Sequence, residues 1–109
     1  MGERSDHQRF FQSLDDDEPP SVGAELQALW WLHKPNWNRA HELVQDIETK
    51  AAAHVHAHLH RVEGDLENAG YWYRRAGEPV SDAPLATEWE TLTKRLLDQA
   101  SAEADSELR

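Results

Sequence analysis

The chain is read as an all-α protein of about five helices, two helical hairpins plus a C-terminal helix. Three observations carry that reading. A short pattern occurs twice: Pro35-Asn36-Trp37-Asn38-Arg39-Ala40 is followed 29 residues later by Gly64-Asp65-Leu66-Glu67-Asn68-Ala69. Each copy joins a turn to a bulky apolar residue and an alanine three positions on, the pattern that opens the second helix of an antiparallel pair. Apolar residues then recur at three- and four-residue spacing from residue 26 onward.

Residues 1–20 read as an acidic, largely flexible tail. Asp15-Asp16-Asp17-Glu18-Pro19-Pro20 combines like-charge repulsion with two prolines. Phe10, Phe11 and Leu14 have the spacing of one amphipathic turn, expected to pack back on the domain. The domain proper is placed at residues 21–100. Its first helix spans 21–32 with Ser21 as N-cap and Leu26, Leu29, Trp30 and Leu32 as a broad apolar face, and Pro35 with Asn36 ends it and caps the next. The second helix is expected over 37–49, with Trp37, Ala40, Val44 and Ile47 on one stripe and Leu43 at its border. The third, 51–63, aligns Ala51, Val55, Leu59 and Val62.

Gly64 and Asp65 then serve as C-cap and N-cap, opening a fourth helix over 66–76 with Leu66, Ala69, Trp72, Tyr73 and Ala76 inward. Gly77 and Pro79 stop it. The fifth begins after Ser81-Asp82-Ala83-Pro84, buries Leu85, Trp89, Leu92, Leu96 and Ala100, and frays into an acidic end at 101–109. Alanine at a helix contact lets two axes approach to about 8 Å, so Ala40 and Ala69 are expected in equivalent close contacts, with Gly70 widening the second.

The Gly64-to-Ala69 stretch followed by Tyr71-Trp72-Tyr73-Arg74-Arg75-Ala76 resembles the second-helix half of a tetratricopeptide-like repeat. Residues 29–77 are similar to a family of small uncharacterised bacterial and fungal proteins. That family carries a tryptophan-containing first block and a second block reading His-Ala-x-Leu-His-Arg-x-Glu-Gly-Asp, supplied here by His56-Ala57-His58-Leu59-His60-Arg61-Val62-Glu63-Gly64-Asp65. The resemblance implies a helical-hairpin fold and no established activity.

Composition limits the function. The 109 residues contain no cysteine, which excludes disulfides, thiolate nucleophiles and cysteine-ligated zinc. Residues 1–33 hold seven acids and two bases, 34–75 six of each, and 76–109 eight acids and three bases. This acidity opposes binding to nucleic acid or anionic lipid. Met1-Gly2-Glu3-Arg4-Ser5-Asp6-His7-Gln8 has no apolar signal core and no stretch approaches the roughly 18 apolar residues of a membrane span, so a cytoplasmic protein is expected.

Catalytic patterns fail on inspection. His41-Glu42-Leu43-Val44-Gln45 places Gln45 where a zinc protease needs its second histidine, and the glycines never cluster into a phosphate loop. The chain is therefore expected not to be an enzyme and to need no cofactor. The favoured function is a binding or scaffold module for a protein or peptide, with self-association allowed and Trp30, Trp31, Tyr71, Arg74 and Arg75 as candidate contact residues, because large aromatics and arginine dominate interface energy.

The rival is a histidine-based metal-binding protein, for zinc or nickel and open to catalysis, built on a His-x-x-x-His helix. In His54-Val55-His56-Ala57-His58-Leu59-His60, helical spacing pairs His54 with His58 and His56 with His60. The two pairs lie about 160° apart, on opposite flanks of the Val55/Leu59 stripe, so one ion cannot use all four. A site needs a third ligand, and His41 or Glu42 of the second helix is the candidate to join His56 and His60, with His41 preferred.

Overall fold

The computed structural model describes residues 6–107, and it is all-helical: α1 Asp6–Ser13, α2 Ala24–His33, α3 Trp37–Val44, α4 Lys50–Glu63, α5 Leu66–Ala76 and α6 Leu85–Glu107. Among the described residues no helix is long and apolar enough to cross a membrane.

The middle of the molecule is α4. It packs on α5, α3, α6 and α2, while α2 also packs on α3 and α6, and α1 lies on α6. Small residues permit this. Ala52, Ala53 and Ala57 keep the waist of α4 narrow, and Val55 and Leu59 give it an apolar stripe, all of them buried. A helix enclosed on several sides also buries what flanks its stripe, and His56, His58 and His60 are each less than a tenth exposed. They must then find polar partners within the protein.

The main core gathers Phe10, Leu26, Leu29, Trp30, Val44, Val55, Leu59, Leu92 and Leu97 around α4, and a smaller cluster joins Ala57, Ala69 and Tyr73 with Trp72 packed against it. Ala40 and Ala69 are both buried as the repeat predicts. Their partners in the pattern are not equivalent. Trp37 is half-buried and donates its indole N–H to Leu59 O at 2.7 Å, whereas Leu66, in the first turn of α5, is 68% exposed.

Local chemistry sets the helix ends. Asn36, Thr49 and Asp65 cap α3, α4 and α5, accepting from the N–H of Arg39, Ala52 and Asn68 at 3.0–3.2 Å. Gly64 and Gly77 close α4 and α5 at φ 89° and 72°, in the left-handed region that costs glycine least.

Several boundaries differ from the sequence expectation. The N-cap of α2 is Gly23, with Ser21 left outside the helix. The second predicted helix ends at Val44 because Thr49 is drawn off to cap α4. The expected single turn near Phe10 is a two-turn helix, with Phe10 buried and Trp30 donating to Ser13 O and Oγ. Along α6, Ala100 is exposed and Leu97 is the last buried residue among those whose burial is described, while the helix continues to Glu107. Val62 and Leu85 lie at the surface. Gly70 is no close-approach residue, since a Cβ there would meet only the flexible end of Arg74 at 3.7 Å.

Candidate functional site

The two histidine pairs of α4 face different helices, as their spacing requires. On the flank toward α3, His41 Nε2 lies 3.0 Å from His56 Nε2. The His56 and His60 rings stack at 4.9 Å, and one ligand atom from each of His41, His56 and His60 falls within 4.8 Å of the other two. Two helices build this triad. The helix α3 is held in register by its Asn36 cap and supplies His41 on its second turn, while α4 presents the other two on consecutive turns.

Aromatic rings and one carboxylate fix the imidazoles. Trp37 stacks on His41 at 4.8 Å with its plane tilted 10°, and Trp72 stacks on His56 at 3.9 Å with a 14° tilt. His60 Nδ1 and Glu63 Oε2 are 2.7 Å apart. Glu63 thereby holds the ring and leaves Nε2 free, the arrangement by which an outer carboxylate orients a metal-ligating histidine. Burial, reinforced by the neighbouring His41 and His60, pushes His56 down to about 4, and burial with His60 also lowers His41. Both are then neutral at pH 7. His56 Nδ1 is buried without a partner. Beside His60, Asp65 is already committed to its cap.

The opposite flank carries a second polar cluster. Glu88 of α6, 6% exposed, accepts from His58 Nδ1 and from Arg61 Nη1, both at 2.7 Å, and from the Tyr73 hydroxyl; His54 Nε2 lies 4.0 Å away. Burial alone would raise the Glu88 carboxyl, but the hydrogen bonds from His58, Tyr73 and Arg61 prevail and hold it at about 2. Burial and the same carboxylate push the Tyr73 hydroxyl up, so it stays a donor. Arg61 is tied further to Ala83 O at 2.7 Å.

The expected partner-contact residues separate. Trp30 is fully buried with its N–H used, so it offers no surface to a partner. Trp31 packs edge-on against Trp30, with the Arg39 guanidinium 4.9 Å from its ring centre. Tyr71, Arg74 and Arg75 remain together at the surface of α5.

Several residues of these clusters escaped the sequence reading, Glu63, Trp72 and Glu88 among them. Glu63 was within its reach, three residues after His60 on one helix face. Trp72 read only as a core residue. Glu88 gave no local signal, because 30 residues separate it from His58. Comparison with family models, curated proteins and solved structures yields no match to this chain.

Proposed function

We propose that the protein binds a first-row transition metal of the zinc or nickel class through His41, His56 and His60. The observation that carries this is the convergence of three imidazoles from two helices, with Glu63 behind one of them. Tetrahedral zinc with Zn–N bonds of ~2.0–2.1 Å sets ligand nitrogens roughly 3.4 Å apart. The 3.0 Å approach of His41 to His56 is slightly inside that spacing, and small ring rotations reach it. Three protein ligands is the number that leaves a fourth position open to water or substrate. The unsupported His56 Nδ1 lowers affinity, by roughly 10–100-fold against a site with complete outer hydrogen bonding.

The test uses tag-free protein purified without chelating resin and titrated calorimetrically with zinc and nickel. One equivalent should bind. His60→Ala and His41→Ala should abolish stoichiometric binding, and His54→Ala, on the Glu88 flank, should retain it. Equal loss in all three variants, or no stoichiometric binding by the native chain, defeats the proposal.

A second reading is a docking face for an acidic, aromatic-containing peptide on α5. The Arg75 guanidinium lies over the rings of Tyr71 and Trp72 at 5.8 and 5.4 Å, and Arg75 Nη1 donates to the Tyr71 hydroxyl at 3.1 Å. This presents a pre-ordered cation between aromatic faces. Fluorescence anisotropy with a labelled Glu/Tyr-rich peptide tests it. Salt-sensitive binding lost in Arg75→Glu supports the reading, and absence of binding at low salt removes it.

A further inference from the structure

A cleft of about 670 Å³ opens between α1, α2, α4 and the start of α6, walled by Phe11, Leu14, Leu32, Trp37, Leu85 and Trp89, with His58 among its lining. It shares Trp37 with the histidine triad, but the inference drawn from it does not rest on the metal proposal. The volume is in the range of small-molecule sites, which combine mostly apolar walls with a few placed polar groups.

The indole nitrogens of both tryptophans are already satisfied. Trp37 Nε1 donates to Leu59 O at 2.7 Å and Trp89 Nε1 to Leu29 O at 2.9 Å. The two rings therefore offer apolar surface to an occupant and no free donor.

His58 is the buried polar group of the wall, whereas His33 and Glu90, which also line the cleft, are exposed. Its side chain is 1% exposed, and Nδ1 is engaged by Glu88 at 2.7 Å. Glu88 accepts from Arg61 and Tyr73 as well, so it serves as an acceptor and Nδ1 carries the proton between them. In the tautomer that gives its Nδ1–H to Glu88, Nε2 carries the lone pair and is the acceptor. Nε2 has no hydrogen-bond partner among the described residues. It is also not one of the sealed, partnerless polar atoms, which are His56 Nδ1 and Thr93 Oγ1. His58 lines the cleft. A buried acceptor, oriented by a buried carboxylate and set in an aromatic wall, is built to receive one donor from an otherwise apolar molecule.

We propose that this cleft binds an amphiphilic small molecule with an apolar body and a single hydroxyl donor, of the alkylphenol class, its O–H donating to His58 Nε2. The aromatic walls suit a ring, because offset and edge-on ring contacts add to the effect of area burial. The buried acceptor gives selectivity for the hydroxyl, since an occupant without a donor covers Nε2 and leaves it unpaired.

The probes are 4-pentylphenol, its methyl ether and 4-pentylbenzoate, titrated into the full chain by calorimetry and by tryptophan fluorescence. The phenol should bind saturably, about tenfold or more tightly than the ether. In His58→Leu that preference should fall to within about twofold. Leu85→Glu, at an exposed position on the cleft wall, should weaken phenol and ether alike. Should His58→Leu fail to fold, the wild-type comparison still decides, joined by the His58 side-chain ¹⁵N resonances, where Nε2 should shift on adding phenol and not on adding ether. Equal affinity for phenol and ether, preference for the benzoate, or no saturable binding of any probe overturns the proposal.

Discussion

Replacing Glu88 by glutamine tests whether the cluster that joins α4, α5 and α6 holds the fold together. The carboxylate receives three donors: His58 Nδ1, Arg61 Nη1 and the Tyr73 hydroxyl. Glutamine offers one oxygen and turns an NH₂ toward the remaining donors, so at least one buried donor loses its acceptor, at a cost of about 1–3 kcal/mol. Arg61 loses its countercharge as well. Removing one partner of a buried pair costs about 3–5 kcal/mol, but the Arg61 side chain is 14% exposed and keeps its bond to Ala83 O, which places this case toward the lower end. Together these give about 3 kcal/mol for Glu88→Gln, a large share of the ~5–15 kcal/mol stability of a small domain. Tyr73→Phe, which removes one neutral donor, should cost about 1–2 kcal/mol. Urea unfolding at pH 7, followed by helical circular dichroism, measures both. Because the two changes share Glu88, the double variant should lose less than the sum of the singles. A Glu88→Gln variant within about 1 kcal/mol of the native chain would refute the assignment of this cluster as a structural joint.

The same carboxylate predicts an acid limb. Held at about 2 against an ordinary 4.5, Glu88 stays ionised in the folded state while the unfolded chain takes up a proton; its contribution is full above pH 4.5 and is lost as pH falls from 4.5 toward 2. Burial lowers His41, His54 and His56 also, and unfolded histidines charge first, so the decline should begin near pH 6.5. Urea midpoints between pH 7 and 3 should trace both phases, with the lower one flattened in Glu88→Gln. Gly70→Ala meets only an ordinary contact with Arg74 and should stabilise α5 by about 1 kcal/mol, read as a rise of about 4–8 °C in Tm; a fall in Tm would mean the position is tighter than its surroundings indicate.

Much of the fold was legible because helix ends are written locally. Pro35-Asn36, Gly64-Asp65 and Gly77 carry their own stop and start signals, and the bounds of α5 follow from them alone. The placement of His54 and His58 on one flank and His56 and His60 on the other is a consequence of helical pitch, and His41 meets the pair that the sequence assigned to it. Long-range information was not legible. Which of Trp30 and Trp31 turns inward depends on α1, whose Ser13 accepts from Trp30. Leu66 shares the spacing of a core residue but projects from a first turn that no neighbour covers. Thr49 read as the end of one helix because nothing nearby in sequence reveals that it caps the next. Glu88 resembles any other acid on an acidic helix until α6 folds back across α4.

The helix α4 is clamped at both ends, by the Thr49 cap and by the left-handed Gly64, and its histidines alternate between two unrelated neighbourhoods. Its length is therefore as constrained as its composition. One residue inserted near Val55 would advance everything after it by about 100°, turning His58 away from Glu88 and His56 and His60 away from His41 in a single event. Every one of these side chains would still be present in the sequence, and neither cluster would assemble. Along this segment the chain tolerates exchange of residues far better than a change in their number.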